Sequence, residues 1–317
     1  MIILRDGDVT PEDATAVAIG VFDGLHLGHQ KVIAALLAIA DRHQVASTLI
    51  TFDPHPAHIL ARDHAPLLLE TLDQRLEGLA LLGVERVRIL TFDQTLAHES
   101  ATSFIERVLV GELHVVDLIV GRDFRFGHDR LGDVSLLEFE SARHGFRVHP
   151  SPIYGAATRW SSTNVRGALR AGDVALATAT LGRPFTLRGF VGHGDARGGA
   201  LGYATANLVL NVDQQIPQIG IYAGAARTTD RIWRPAAISV GTRPQFYEHG
   251  PLLVEVHVVD YDQDLYDQNL DVAFLARLRG EATFDDVAAL VAQIGRDVIE
   301  TGEIFKKFSP ESSVLLE

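Results

Sequence analysis

The sequence contains no cysteine. That excludes disulfides, thiol nucleophiles and thiolate metal sites, and it fits a reducing compartment. Long apolar runs are missing too: no stretch approaches the roughly 18 uninterrupted apolar residues of a membrane helix. The start, Met1-Ile2-Ile3-Leu4-Arg5-Asp6, lacks the charged-then-apolar plan of a secretory leader. A cytoplasmic protein without a membrane partner is the expectation. Basic residues are in deficit, 28 Lys and Arg against 41 Asp and Glu, for a formal net charge of -13. This balance argues against a nucleic-acid backbone as the main partner, so any anion site must be local. Internal repeats and low-complexity tracts are absent as well. What is present, 317 residues of which 47% are hydrophobic, suffices for two domains with real cores.

The stretch Gly20-Val21-Phe22-Asp23-Gly24-Leu25-His26-Leu27-Gly28-His29-Gln30 organises the first half. Before it runs the apolar segment Ala16-Val17-Ala18-Ile19, and after it Val32, Ile33, Leu36, Leu37 and Ala40 recur at helical spacing. The pattern is strand, glycine-rich turn, helix. His26 and His29 then share one face at the mouth of the helix, where free N–H groups and the positive end of the dipole favour a phosphate. Gly20, Phe22, Asp23, Gly24 and Gly28 build the turn and are the candidate phosphate-binding positions. Many such turns are mere connections; the His-x-Gly-His core is what sets this one apart. His-x-x-His spacing also suits zinc, yet no cysteine completes a thiolate set and no glutamate stands between the two imidazoles.

A buried strand is expected at 45–52, stopped by Asp53-Pro54-His55-Pro56, followed by a helix carrying Leu72, Leu76, Leu79 and Leu82. A strand at 87–91, a helix with Phe104, Ile105, Val108 and Leu109, and a strand at 115–120 come next. Strands alternating with helices predict an α/β, doubly wound parallel sheet with ligands beyond the carboxyl ends of its strands. The turn holding His26 and His29, the 53–56 turn and the loop from Gly121 should therefore share one rim. That loop, Gly121-Arg122-Asp123-Phe124-Arg125-Phe126-Gly127, offers rings for stacking and arginines for a phosphate, although composition alone favours a solvated loop with an aromatic tucked into the core. Further on, Ser161-Ser162-Thr163-Asn164-Val165-Arg166 opens a helix. Its hydroxyls suit capping, and Arg166 on the first turn can join Ser162 and Thr163 in gripping a triphosphate.

The organisation changes at Leu181-Gly182-Arg183-Pro184-Phe185, which predicts domains at 1–182 and 186–317. Short alternating strands at 187–191, 205–210, 221–226, 232–240, 252–261 and 270–278 suggest an antiparallel β-barrel. One helix closes the chain, with Val287, Leu290, Val291 and Ile294 as its expected buried stripe. The run 192–202 holds five glycines, Gly192, Gly194 and Gly202 among them, and can bring backbone N–H groups close to phosphates or simply turn a corner. Thr205 and Asn207, two apart on a strand, face the same way and can present oxygens to a hard cation. In 252–260 the residues Leu252, Val254, Val256 and Val258 form one apolar face, leaving Glu255 and His257 together on the other. Glu255 is solvent-facing by default, and a general base if that face lines a pocket.

Taken together and in order, these motifs resemble those of the bacterial bifunctional riboflavin kinase/FAD synthetase family over nearly the whole chain. The carriers are the 20–29 string, Phe52-Asp53-Pro54-His55-Pro56, the 121–127 loop and the 161–166 helix start in front, then the glycine run, Thr205-Ala206-Asn207, Gly220-Ile221-Tyr222-Ala223, Val240-Gly241-Thr242-Arg243-Pro244 and the Glu255 strand through Leu265-Tyr266. The resemblance implies a nucleotidyltransferase domain followed by a riboflavin kinase barrel. Riboflavin would become FMN with Glu255 as base and Mg2+ on Thr205 and Asn207. FMN would become FAD with His26 and His29 stabilising phosphate charge, Ser162, Thr163 and Arg166 holding ATP, and Arg122, Asp123 and Arg125 holding the flavin. Three departures stand out: Ala204 replaces a usual proline, Asp267 a usual glycine and Thr283 a usual lysine. They leave open an FMN adenylyltransferase carrying a kinase-inactive, flavin-binding barrel. A regulatory flavin binder without turnover and an enzyme adenylylating another phosphate ester are the remaining alternatives. Oligomeric state is not legible.

Overall fold

The structure is a computed structural model that describes residues 1–155, 159–193, 202–242 and 252–316. By packing, the chain forms two units: Met1–Pro66 with Leu72–Trp160, and Leu67–Thr71 with Ser161–Glu317.

In the first unit, six parallel strands run in the order β1-β4-β3-β2-β5-β6: β1 (Ile2–Leu4), β2 (Thr15–Ile19), β3 (Ala46–Asp53), β4 (Arg86–Thr91), β5 (Val115–Gly121) and β6 (Arg147–Ser151). β2 is wholly buried between β3 and β5, which is why it reads as a continuous apolar run rather than an alternating one. Helix α1 (Leu27–His43) follows β2, α2 (Pro56–Leu60) and α3 (Leu72–Leu81) follow β3, and α4 (Gln94–Ala97) follows β4. The expected helix at 104–109 starts as α5 (Ala101–Phe104) and continues as a π-helix over Ile105–Glu112, with the Leu113 N–H donating to the Val108 carbonyl. α6 (Val134–His144) links β5 to β6. The doubly wound parallel sheet is borne out. Because the strands are parallel, the turns after β2, β3 and β5 do lie on one rim.

At the other end of this sheet Asp117, wholly buried, accepts hydrogen bonds from Arg147 at 2.7 Å and His149 at 2.8 Å and meets His43 Nδ1 at 2.5 Å. Burial alone would raise its pKa, but these three partners, Arg147 foremost, hold it well below the usual carboxylate range.

The second unit opens with α7 (Ser162–Arg170) and α8 (Val174–Leu181), which precede a closed antiparallel barrel. Its strands are β7 (Phe185–Gly192), β8 (Ala206–Val209), β9 (Gly220–Arg227), β10 (Trp233–Thr242), β11 (Leu252–Val258) and β12 (Asn269–Arg279), in the order β10-β11-β8-β7-β12-β9. Phe185, Leu187, Ile238, Val240, Val254, Val256, Val272 and Phe274 fill a core to which α7 and α8 contribute Val165, Leu169, Ala177 and Leu181. Leu69, from the short segment Leu67–Thr71, belongs to the same core. That segment is stitched on by Leu68, whose N–H donates to Asp213 and whose carbonyl accepts from Gln215.

The closing helix α9 (Val287–Phe305) corrects one expectation. Its apolar stripe is not buried: Val287 is 62% exposed, and Leu290, Val291 and Ile294 are half-buried. The buried positions are Asp297 and Thr301. Asp297 pairs with Arg279 of β12 at 2.7 Å and accepts from Gln293, one turn earlier on the same helix, at 2.8 Å, so an ion pair ties the middle of the helix to the barrel beside its half-buried apolar residues.

Candidate functional site

In the first unit the turn after β2 is tightly built. Phe22 adopts φ +56° and is buried, Leu25 adopts +41°, and Gly24 takes +85°. These left-handed backbones fold 20–25 into a compact corner. His26 caps α1: its Nδ1 accepts the His29 N–H at 3.2 Å, which fixes its neutral tautomer with the proton on Nε2. The two imidazoles stack, centroids 3.6 Å apart and planes 19° apart, and Phe22 approaches the His29 ring at 5.1 Å. His26 is buried and His29 half-buried. Gly28 makes the stack possible, since a Cβ there would stand 3.0 Å from the His26 ring. Gly20 plays the same part for Phe22, whose ring lies 3.0 Å from where its Cβ would be.

Burial, then the neighbouring His26 and Arg75, push the His29 pKa well below the usual imidazole range. His29 is therefore neutral at physiological pH, and its buried Nδ1 has no hydrogen-bond partner. Asp23 is 2% exposed, with its carboxylate 3.8 Å from the equally buried Arg75. Arg75 also reaches Thr51 at 3.4 Å, and Thr51 holds the Val21 carbonyl at 2.9 Å. Sequence reasoning missed Arg75. Its one signal is a lone arginine beside the apolar stripe of α3, next to Leu76.

The loop after β5 keeps its rings for the interior. Phe124 and Phe126 stack at 5.4 Å and pack against the core of the sheet, so they are not a free stacking platform. The polar side chains turn outward: Arg122 is exposed, Asp123 meets Arg159 at 2.5 Å and Arg125 meets Asp133 at 2.8 Å.

Within the second unit, Ser161 caps α7 by accepting the Asn164 N–H at 3.2 Å. Ser162 is half-buried and Thr163 exposed on the first turn. Arg166 is buried, and its Nε donates to the Leu67 carbonyl at 2.6 Å. At least part of its donor fork thus holds the Leu67–Thr71 segment, a role the sequence did not reveal.

On the barrel, the strand register draws one line of residues across four strands. Ser239 of β10 lies opposite Glu255 of β11, Glu255 opposite Asn207 of β8, and Asn207 opposite Gly192 of β7. Directly opposed Cβ atoms stand about 5 Å apart, so the side chains of Ser239, Glu255 and Asn207 form one patch beside the Gly192 backbone. Thr205 precedes β8 and, two residues before Asn207, faces the same way; buried Ala206 and Leu208 face inward. Val254, Val256 and Val258 fill the interior, which places Glu255 and His257, both half-buried, on the outer face. Among the described residues, Thr205, Asn207 and Glu255 have no hydrogen-bond partner for their side chains. Hard, uncommitted oxygens on one face suit a small divalent cation. Ser239 is the member of this line that sequence reasoning missed. Gly202 adopts φ +84°, and Gly194 lies outside the described residues. Among those residues no three His, Asp or Glu side chains gather around a point that could hold a metal, and no helix is long and apolar enough to cross a membrane.

Two family models match: FAD synthetase over residues 9–164 and riboflavin kinase over residues 181–305. Among curated proteins, the bifunctional riboflavin kinase/FMN adenylyltransferase of Pseudomonas fluorescens is 38% identical, covering 92% of this chain and 93% of its own length. Its namesake in Escherichia coli strain K12 is 36% identical, over 95% and 96%. That of Bacillus subtilis strain 168 is 33% identical, over 94% and 95%. A solved structure described as a macrolide-efflux protein from Streptococcus pneumoniae superposes with a TM-score of 0.85 at 28% identity, covering 98% of this chain and all of that one.

Proposed function

This chain belongs to the bifunctional riboflavin kinase/FMN adenylyltransferase family, and from that premise we propose that it converts riboflavin to FMN and FMN to FAD, each step using one ATP. Phosphorylation is assigned to residues 186–317 and adenylylation to residues 1–182.

In the kinase step the terminal ribityl hydroxyl attacks the γ-phosphorus of ATP, the bond to the β,γ-bridging oxygen breaks, and ADP leaves. Glu255 takes the hydroxyl proton; no neighbouring side chain among those described competes for its carboxylate. Thr205 and Asn207 would hold a divalent cation, which we assign as Mg2+, and which would neutralise charge on the ATP phosphates. Both ligands are uncharged, so the nucleotide brings the negative charge that retains the cation. Backbone at Gly192, Gly194 and Gly202 is assigned to the phosphates of this ATP.

In the adenylyl step an FMN phosphate oxygen attacks the α-phosphorus of a second ATP and pyrophosphate leaves. The nucleophile is already an anion, so no base is needed. His26 contributes an Nε2–H, and neutral His29 an imidazole that stabilises developing charge without a net positive one. Gly20, Phe22, Asp23, Gly24 and Gly28 shape this corner, Asp23 through its pairing with Arg75. Ser162 and Thr163 are assigned to the ATP tail together with the first turn of α7, Arg166 anchoring that turn. The exposed polar side chains of Arg122, Asp123 and Arg125 are assigned to FMN. Small-molecule substrates, the absence of a membrane-crossing helix among the described residues and the acidic net charge support a cytoplasmic enzyme with neither membrane nor nucleic-acid partners.

The observation that carries the reading is the register that sets Glu255 directly opposite Asn207. Incubation with riboflavin, ATP and Mg2+, followed by chromatography, should give FMN and then FAD. Glu255→Gln should lower FMN formation by at least about 100-fold and leave FAD formation from supplied FMN intact. If the wild type makes FAD from FMN but no FMN from riboflavin, the barrel only binds flavin and the kinase assignment fails.

A further inference from the structure

The proposed cation ligand Thr205 stands just before β8, and what holds it there is not a strand partner. His257, two residues beyond Glu255 on the same face of β11, meets the Ala204 carbonyl with Nδ1 at 2.8 Å. A carbonyl only accepts, so Nδ1 carries the proton. The imidazole is braced in turn: Tyr203 meets it edge-on, centroids 5.3 Å apart and planes 81° apart. Tyr203 is itself backed by α9, where Gly295 leaves room for its hydroxyl; a Cβ at that position would stand 3.2 Å from it. Helix α9, Tyr203, His257 and the Ala204 carbonyl thus form one contiguous chain of contacts ending at the residue before Thr205.

We propose that His257 is a positioning residue of the kinase site: its Nδ1–H fixes the Ala204–Thr205 peptide so that the Thr205 hydroxyl and the Asn207 side chain converge on one cation. The inference rests on the kinase assignment above. The nucleotide's charge retains the cation, and two neutral ligands add affinity only when they converge on it, so their mutual orientation tunes occupancy. A peptide just outside a ladder keeps its orientation only if something else bonds it, and His257 supplies that bond. It touches no substrate; it acts through Thr205.

Three variants separate the bond from the ring. His257→Phe keeps an edge partner for Tyr203 and removes the donor, whereas His257→Asn removes the ring and keeps an N–H near the position of Nδ1. Ala204→Pro, added to His257→Phe, stiffens the backbone at 204 by fixing φ. Among the described residues the Ala204 N–H donates no bond, so none of these is sacrificed. Riboflavin fluorescence, titrated with Mg2+ in the presence of ADP, reads occupancy of the barrel site without turnover, and FMN formation reads the reaction. In His257→Phe the Mg2+ midpoint should rise about fivefold, the size of one lost hydrogen bond, with KM for riboflavin unchanged. His257→Asn should stay within about twofold of wild type, and Ala204→Pro should restore most of the loss. FAD formation from supplied FMN should be unaffected throughout. An unchanged Mg2+ midpoint in His257→Phe, alongside normal wild-type FMN formation, overturns the positioning role. Absence of FMN formation in the wild type instead overturns the kinase assignment itself.

Discussion

Replacing Gly28 by alanine should separate catalysis from stability in the adenylyl-transferring half. The added Cβ would stand 3.0 Å from Cε1 and Nδ1 of His26 and 3.2 Å from the Trp160 carbonyl oxygen. Comfortable carbon contacts begin near 3.5 Å, so the His26 ring must retreat by roughly half an ångström. That ring has little slack. It stacks on His29 at 3.6 Å, and its Nδ1 holds the His29 N–H at 3.2 Å, close to the outer limit of a hydrogen bond. Two terms set stability. Alanine gains up to about 1 kcal/mol of helix propensity over glycine, less in a first turn, and crowding costs about 1–3 kcal/mol. The net loss is at most about 3 kcal/mol, which leaves the protein folded. Catalysis fares worse, because a displacement of about half an ångström at a charge-stabilising group costs on the order of 10-fold in rate. The assay is FAD formed from supplied FMN and ATP, with FMN formed from riboflavin as an internal control and a thermal melt for stability. A folded Gly28→Ala protein making FAD at the wild-type rate would refute the claim that the imidazole stack is set to this tolerance.

Three further outcomes follow from the same structure. Asp117 has its pKa depressed in the folded state, so it stabilises above the unfolded value near 3.8, and that contribution is lost as pH falls through the depressed pKa; Asp117→Asn should cost about 1–3 kcal/mol at neutral pH, toward the low end because its partners reach solvent, and should flatten the acid limb of stability measured by denaturant titration. Asp267 sits at φ +60°, where a side chain is strained, so Asp267→Gly should raise the denaturation midpoint by an amount equivalent to about 0.5–1 kcal/mol. The His29 pKa is depressed by burial, so the unfolded chain binds a proton there first; stability should decline as pH falls below about 6.5, and His29→Gln should lose that part of the decline in melts recorded between pH 5 and 7.

Much of the fold was legible because it rests on periodicity. β2 and β3 announce themselves as apolar runs between turn residues, and β11 alternates so cleanly that the shared face of Glu255 and His257 follows from counting by two. Other elements gave no such signal. β1 has three residues, the inner positions of α6 are too few to set a period, and β6 contains a proline, which marks it down as a strand unless it lies at a sheet edge. The stripe of α9 misled for a physical reason: apolar residues at helical spacing predict full burial only if the partner surface offers area, and here the stripe is only half-covered while a carboxylate paired with a guanidinium takes one of the buried positions. Site chemistry divided in the same way. Motif positions were readable, but Arg75, Ser239 and the peptide-holding role of His257 depend on which strand or helix lies next door, and one-dimensional spacing does not encode that.

The Leu67–Thr71 segment bears on any attempt to take the molecule apart. Those five residues lie between parts of the first unit in the chain, yet they pack with the second, where Leu69 joins the core, Leu67 accepts from Arg166 and Glu70 faces Arg183 at 3.5 Å. No single cut therefore yields two intact halves. A fragment beginning at residue 186 would shed α7, α8 and this strap together, baring the apolar side of β7 and β12 that α8 covers. Such a piece should be recovered as aggregate unless residues 67–71 are restored to it, for instance by supplying the complementary fragment during refolding.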